Sequence, residues 1–232
     1  MSLLVPPRRP SRELLDDPAL PGEEMRRSLE DIDLAHRRWG AARALVRHLA
    51  PRVRALGRPA RILDVGAGSG TVSERLGRSL AAEGARVRLI ALDLQWRHLA
   101  AGRSLCLLAR PPAVGADAFR LPFRDGAFDF AISTLFLHHF SPHENRALLS
   151  EFLRVARQGF AVLDLRRHLV PTLVLEVAGR IFFRAHVSIR DGVASLRQAY
   201  TRAEAAALAR EASPSGRAVD VFPFGMLVTG GP

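Results

Sequence analysis

At 232 residues the chain is long enough for one well-buried core plus an accessory element, and 48% apolar with 25% charged residues excludes a largely disordered polypeptide. Its single cysteine, Cys106, excludes an intramolecular disulfide and with it a disulfide-stapled secreted design. A formal charge of +11 suits a nucleic-acid partner, yet all 34 basic residues are arginine, the mark of a G+C-rich coding sequence, and no basic run interleaved with aromatics gathers them; nucleic-acid binding is not expected.

The opening stretch MSLLVPPRRPSRELLDD sets prolines and arginines where an export signal needs an apolar run. Leu169 to Phe183 is the most hydrophobic segment, but it falls short of the roughly 20 residues of a bilayer crossing and carries Glu176 and Arg180. A cytoplasmic protein is expected.

Between Pro21 and Leu56, residues including Met25, Leu29, Ile32, Trp39, Leu45 and Leu49 recur at helical spacing, which predicts two helices with Gly40 and Pro51 as points of interruption or termination. Residues 1–57 are thus an N-terminal helical segment that caps or braces the remainder of the chain. From Arg61 the rhythm changes to short apolar runs alternating with helical stretches, the pattern of a parallel sheet with crossovers. Strands are predicted at Arg61–Val65, Val87–Asp93, Ala113–Asp117, Phe128–Thr134, Phe160–Leu165, Ala218–Phe222 and Met226–Thr229. Helices are predicted near Ser69–Glu83, Trp96–Leu107, Pro142–Arg157 and Arg202–Glu211, with Phe119–Gly126 as loop. Residues 58–232 therefore read as one catalytic domain, with a helical insertion at about 166–200 that is longer than an ordinary connection and predicts a lid.

The strongest local pattern is Ile62-Leu63-Asp64-Val65-Gly66-Ala67-Gly68-Ser69-Gly70-Thr71, a buried strand running through glycines into a helix. Glycines there let backbone turn tightly and approach a ligand. Asp93, in Ala91-Leu92-Asp93-Leu94, closes the next strand about 20 residues on, where a carboxylate accepts from both hydroxyls of a ribose; capping the helix near Trp96 is its alternative role.

This block resembles motif I and the ribose-binding acid of class I, Rossmann-like S-adenosylmethionine-dependent methyltransferases. Gly115-Ala116-Asp117-Ala118-Phe119, Leu121-Pro122-Phe123 and Phe128-Asp129-Phe130-Ala131-Ile132 resemble the adenine-side and fourth-strand motifs of the same family, over about Arg61 to Leu165. The resemblance implies an α/β fold with a seven-stranded, mostly parallel sheet and an antiparallel C-terminal strand, and S-adenosylmethionine as cofactor with S-adenosylhomocysteine as product. It also implies a cofactor site of Asp64, Gly66, Ala67, Gly68, Gly70, Asp93, Leu94, Asp117, Ala118 and Ser133, with Asp117 toward the adenine amino group. A nicotinamide-dependent dehydrogenase shares the architecture, but Thr71 stands where its G-x-G-x-x-G fingerprint ends in glycine. Val219-Asp220-Val221-Phe222 and Met226-Leu227-Val228-Thr229, joined by Pro223-Phe224-Gly225, read as the tight antiparallel pair that closes the methyltransferase sheet.

For the chemistry, Ser133-Thr134-Leu135-Phe136-Leu137-His138-His139-Phe140 follows the fourth strand at the ligand-binding edge. Transfer from a sulfonium to a hydroxyl needs alignment and removal of a proton, which an imidazole near neutral pKa performs. His139 is the preferred base, His138 the second candidate, and Asp164 the carboxylate to orient an imidazole; a packing role for the pair stays open. No metal is expected, because neither cysteine nor a spaced acid completes a ligand set around these histidines. The insertion's Leu173, Val177, Ile181, Phe182 and Phe183 offer an apolar face, with His186, Arg190 and Tyr200 as polar contacts.

The resemblance extends to bacterial methyltransferases of secondary metabolism, which implies O-methylation of a small phenolic or polyketide-type acceptor. Three alternatives stay open: C-methylation of a quinone-like lipid by an enzyme using Leu169–Phe183 as a peripheral membrane anchor, a non-catalytic S-adenosylmethionine-binding partner, and a dehydrogenase. Oligomeric state is not legible.

Overall fold

Short apolar runs bounded by glycine fold as strands here because a strand covered on both faces can be apolar throughout. In a computed structural model describing residues 4–108, 110–222 and 224–232, the side chains of Trp39, Ala41 and Phe182 excepted, these are β1 (Ala60–Val65), β2 (Val87–Asp93), β3 (Ala113–Gly115), β4 (Phe130–Thr134), β5 (Phe160–Leu165), β6 (Arg217–Phe222) and β7 (Gly225–Gly230). They form one sheet in the order β3-β2-β1-β4-β5-β7-β6. Only β7 runs against its neighbours, β5 and β6, as the expected antiparallel C-terminal strand. Pro223, in the turn before β7, lies outside the described residues.

The helices are α1 (Gly22–Trp39), α2 (Ala41–Ala55), α3 (Thr71–Ala82), α4 (Trp96–Leu105), α5 (Pro142–Val155), α6 (Leu169–Phe182), α7 (His186–Gln198) and α8 (Arg202–Ala212). Leu45, Leu49, Ile62, Leu76 and Ile132 build the core on the α2–α3 face of the sheet. Leu63, Phe128, Leu148, Phe152 and Leu208 build it on the α5–α8 face. Among the described residues no helix is long and apolar enough to cross a membrane.

Three boundaries differ from expectation, each for a local reason. Gly40 does separate α1 from α2, in a left-handed conformation, but Pro51 lies inside α2, where the buried Leu45, Leu49 and Val53 hold the helix in place through it. β3 stops at Gly115, leaving Asp117 in the following loop. β4 begins at Phe130, not Phe128, because Asp129 turns its carboxylate to the Arg58 guanidinium and the Arg61 N–H.

The strand order reverses between β1 and β4: the chain fills β1, β2 and β3 on one side, then crosses to the other. The carboxyl ends of these two strands diverge there and leave the crevice in which such sheets bind ligands. α4 closes one wall of it through Gly102, where an added Cβ would stand 2.2 Å from the Ser69 carbonyl oxygen. Gly102→Ala should therefore cost about 1–3 kcal/mol in denaturant unfolding. Gly115→Ala, whose Cβ meets nothing within 4 Å, should stay within about 0.5 kcal/mol of the parent.

Candidate active site at the sheet crossover

Gly66, Gly68 and Gly70 all adopt left-handed φ values, of 68°, 55° and 77°, so the turn from β1 into α3 needs glycine for its path. At Gly66 it needs glycine for space as well, since a Cβ would lie 2.5 Å from the Phe136 ring. The glycine turn and the segment after β4 are thus in direct contact. Asp93 holds the turn: its Oδ2 accepts the Gly68 N–H at 2.8 Å and its Oδ1 the Gln95 N–H at 2.8 Å. The cap and ligand roles read for Asp93 are compatible, because each oxygen keeps a second lone pair and the side chain borders the cavity.

Of the residues read as cofactor-binding, Gly66, Ala67, Gly68, Asp93, Leu94, Asp117 and Ala118 line one cavity of about 1000 Å³. Asp117 also closes a turn by accepting the Phe119 N–H at 2.9 Å. Gly70, Asp64 and Ser133 lie beneath this surface, off the cavity wall. Asp64 is fully buried and accepts the Ser73 hydroxyl; burial, aided by the Asp93 charge and opposed by Ser73, pushes its carboxyl up to about 7. Ser133 donates to the Val65 carbonyl at 2.6 Å and ties β4 to β1. These two side chains brace the site from below.

Asp164, read as the carboxylate that orients an imidazole, meets His138 and not His139. Asp164 pairs with His138: Oδ1 lies 2.6 Å from Nδ1, and Oδ2 accepts the His138 N–H at 3.0 Å. Glu13, from the N-terminal segment, approaches the other side, 3.4 Å from Nε2. Burial alone would lower the His138 pKa, but the charge and hydrogen bond of Asp164, with Glu13 behind them, raise it to about 10. His138 is a buried imidazolium at neutral pH. His139 stacks on it at 4.4 Å and is pushed down, by burial first and by the His138 charge second, so it stays neutral. His139 faces the cavity with Nδ1 3.6 Å from Asp16 and Nε2 3.9 Å from Glu13.

Glu13 and Asp16 escaped the sequence reading because a segment without periodicity carries them. The structure stretches that segment across the cavity: the Leu14 and Leu15 N–H groups donate to Asp191, Arg8 donates to the His138 and Phe140 carbonyls, and Gln198 donates to Glu13. Glu13 is held low, near 2, where the His138 and His139 contacts outweigh the upward push of burial. The expectation of no metal rested on a missing acid, and Glu13 supplies one: Glu13, His138 and His139 bring donor atoms within 4.8 Å of one another. His36 on α1 was also missed. It lines the cavity with neither ring nitrogen hydrogen-bonded to the protein, and burial lowers its pKa to about 4, leaving a neutral donor and acceptor for a ligand.

The Asp164–His138 pair makes a stability prediction with a definite sign. A histidine raised from its ordinary 6.5 to about 10 stabilises the fold fully below pH 6.5 and loses that contribution as pH rises through 10. Asp164→Asn should cost about 3 kcal/mol at pH 7 and bring the His138 titration, followed by NMR, down toward neutrality. An unchanged His138 titration would refute the pairing.

The chain resembles known proteins mainly over the block that builds this crevice. The methyltransferase domain family Methyltransf_25 matches residues 62–159. A demethylmenaquinone methyltransferase of Beutenbergia cavernae is 41% identical over 101 residues, which cover 43% of this chain and 37% of that protein. The tRNA (carboxymethyluridine(34)-5-O)-methyltransferase alkbh8 of Xenopus tropicalis is 50% identical over 44 residues, 18% of this chain and 7% of its own. The chain thus matches little more than a third of the first of these relatives and far less of the second. Among solved structures, magnesium protoporphyrin IX methyltransferase of Synechocystis PCC 6803 with bound SAM covers 92% of this chain and 98% of its own at a TM-score of 0.51 and 14% identity, a likeness of fold. Residues 62–159 thus match a methyltransferase domain, set in a chain with the fold of solved S-adenosylmethionine-dependent methyltransferases.

Proposed function

We propose that this protein transfers a methyl group from S-adenosylmethionine to a hydroxyl of a small, largely apolar acceptor of phenolic or polyketide type. The observation that carries the reading is the contact between Gly66 and Phe136, which sets the glycine turn, with Asp93 behind it, beside the His138–His139 loop in one cavity. The donor set fits the cofactor: a carboxylate for the ribose at Asp93, a glycine cradle that no Cβ obstructs, and Asp117 and Ala118 toward the adenine. Bound S-adenosylmethionine supplies an electrophilic methyl group on sulfur.

The protein's part is orientation and proton removal. Neutral His139 would take the acceptor's hydroxyl proton, freeing the oxygen to receive the methyl group while the cofactor's sulfur leaves as the thioether. His138, already charged, cannot take a second proton; it fixes the His139 ring by stacking and keeps it neutral. The acceptor's apolar body lies against Leu29, Ile32, Val174, Leu196 and Phe224, which α1, the α6–α7 insertion and the segment before β7 bring to the cavity wall. Residues 1–57 serve as its cap and the 166–200 insertion as its lid. The acceptors named for the matched relatives differ widely, which agrees with acceptor choice lying in these added elements.

Calorimetry tests the cofactor reading. S-adenosylhomocysteine should bind and NAD should not, and Asp93→Ala should weaken binding by roughly 10–100-fold, as loss of a buried charged acceptor costs about 1.5–3 kcal/mol. NAD binding alone would make the protein a dehydrogenase. For the chemistry, kcat/KM should fall on the acid side as His139 protonates, below its ordinary 6.5, and on the alkaline side as His138 loses its proton near 10. His139→Ala should cost about 10²–10⁴-fold in kcat, and EDTA should leave the rate unchanged. Loss of activity with EDTA, restored by a divalent ion, would give Glu13, His138 and His139 to a metal and remove the base role.

A further inference from the structure

Helix α6 presents its apolar side outward. Val170, Leu173, Val174, Val177 and Ile181 recur at spacings of three and four, so they form one stripe, and all are exposed; Val177 and Ile181 reach 86% and 81%. The opposite side is already used: Leu175 packs on Gly192 and Gly179 on Ile189, both of α7. The stripe is therefore surplus to the fold, and contiguous apolar surface of this kind marks a contact site. It is continuous with the cavity, since Val170 and Val174 also line that space.

Beside the stripe a shallow groove of about 470 Å³ brings Arg9, Arg190 and Arg197 together around Glu176. Glu176 pairs with Arg197. Among the described residues no carboxylate lies within 4.0 Å of the guanidinium groups of Arg9, Arg190, Arg180 or Arg184, the last two being exposed at the C-terminal end of α6. The stripe thus has a border of unneutralised guanidinium groups. That combination, an apolar helix face lying flat with cations at headgroup height, is what an anionic bilayer surface binds. A second copy of the chain is the poorer fit, because a two-fold contact through α6 would set the same arginines against each other.

We propose that the outer face of α6, with the adjoining arginine groove, docks this protein on an anionic membrane surface. Uptake of a lipophilic acceptor from the bilayer rests on the methyl-transfer function; docking itself does not, and is measured without turnover.

The test is flotation with vesicles of phosphatidylglycerol and phosphatidylcholine against vesicles of phosphatidylcholine alone. The protein should float with the anionic vesicles, less so as salt is raised, and Val177→Asp with Ile181→Asp should reduce the bound fraction at least about tenfold. S-adenosylhomocysteine affinity of the double variant should be unchanged, which reports an intact fold. Failure of the parent protein to float with anionic vesicles, or equal flotation of the double variant, overturns the proposal. So does a parent dimer that the same substitutions dissociate without any flotation, which would assign the stripe to a second copy. Loss of methyl transfer with flotation intact would sink the enzymatic reading alone.

Discussion

A buried imidazolium between two carboxylates ties the parts of this site together. Asp164 comes from the last parallel strand of the sheet centre, His138 from the loop after β4, and Glu13 from a segment that precedes every regular helix. A charged side chain so far from water persists only when both sides are compensated. The sheet edge supplies one carboxylate and the N-terminal segment the other, so without Glu13 the charge is half-paired. The same charge sets the chemistry next door: His139 is neutral partly because His138 is not. One electrostatic constraint therefore closes the cavity and differentiates the two imidazoles.

The sheet was legible because its information is local. Strand β1, the glycines and Asp93 lie within a short stretch, and burial on both faces leaves an unbroken apolar run that reads as a parallel strand at sight. The glycine turn is legible for a second reason, that left-handed φ and the Phe136 ring both forbid a Cβ at Gly66. What was not legible depends on distant pairings. Nothing in Arg12-Glu13-Leu14-Leu15-Asp16 announces that its carboxylates reach a histidine loop far along the chain. Asp164 was read as orienting an imidazole without saying which, and its partner is His138, since adjacency in sequence does not say which ring faces a neighbouring strand. Asp64 and Ser133 show a related limit: side chains at strand ends alternate between the crevice and the core, and these two fall on the inner side.

The cavity is built from two kinds of wall with different obligations. The sheet edge and its loops are fixed by backbone hydrogen bonds, so the cofactor side is rigid and common to many chains of this fold. The wall made by α1, α6 and α7 is largely apolar, and its shape depends on side-chain size. The matched block, residues 62–159, builds the sheet-edge wall, whereas most of the apolar wall lies outside it.

Access to the cavity follows from how that second wall is held. The α6–α7 insertion sits on a small core of Leu165, Leu196 and Ala199, far slighter than the cores on the two sheet faces. Two carboxylates staple it down instead: Asp31 of α1 accepts the Arg184 and Ala185 N–H groups at the start of α7, and Asp191 of α7 accepts those of Leu14 and Leu15. Both carboxylates are buried, so these bonds to backbone N–H groups are strong ones and carry much of the hold on the insertion. Asp191 binds the same short segment that carries Glu13, so the strap across the cavity and the second carboxylate beside His138 are one stretch of chain.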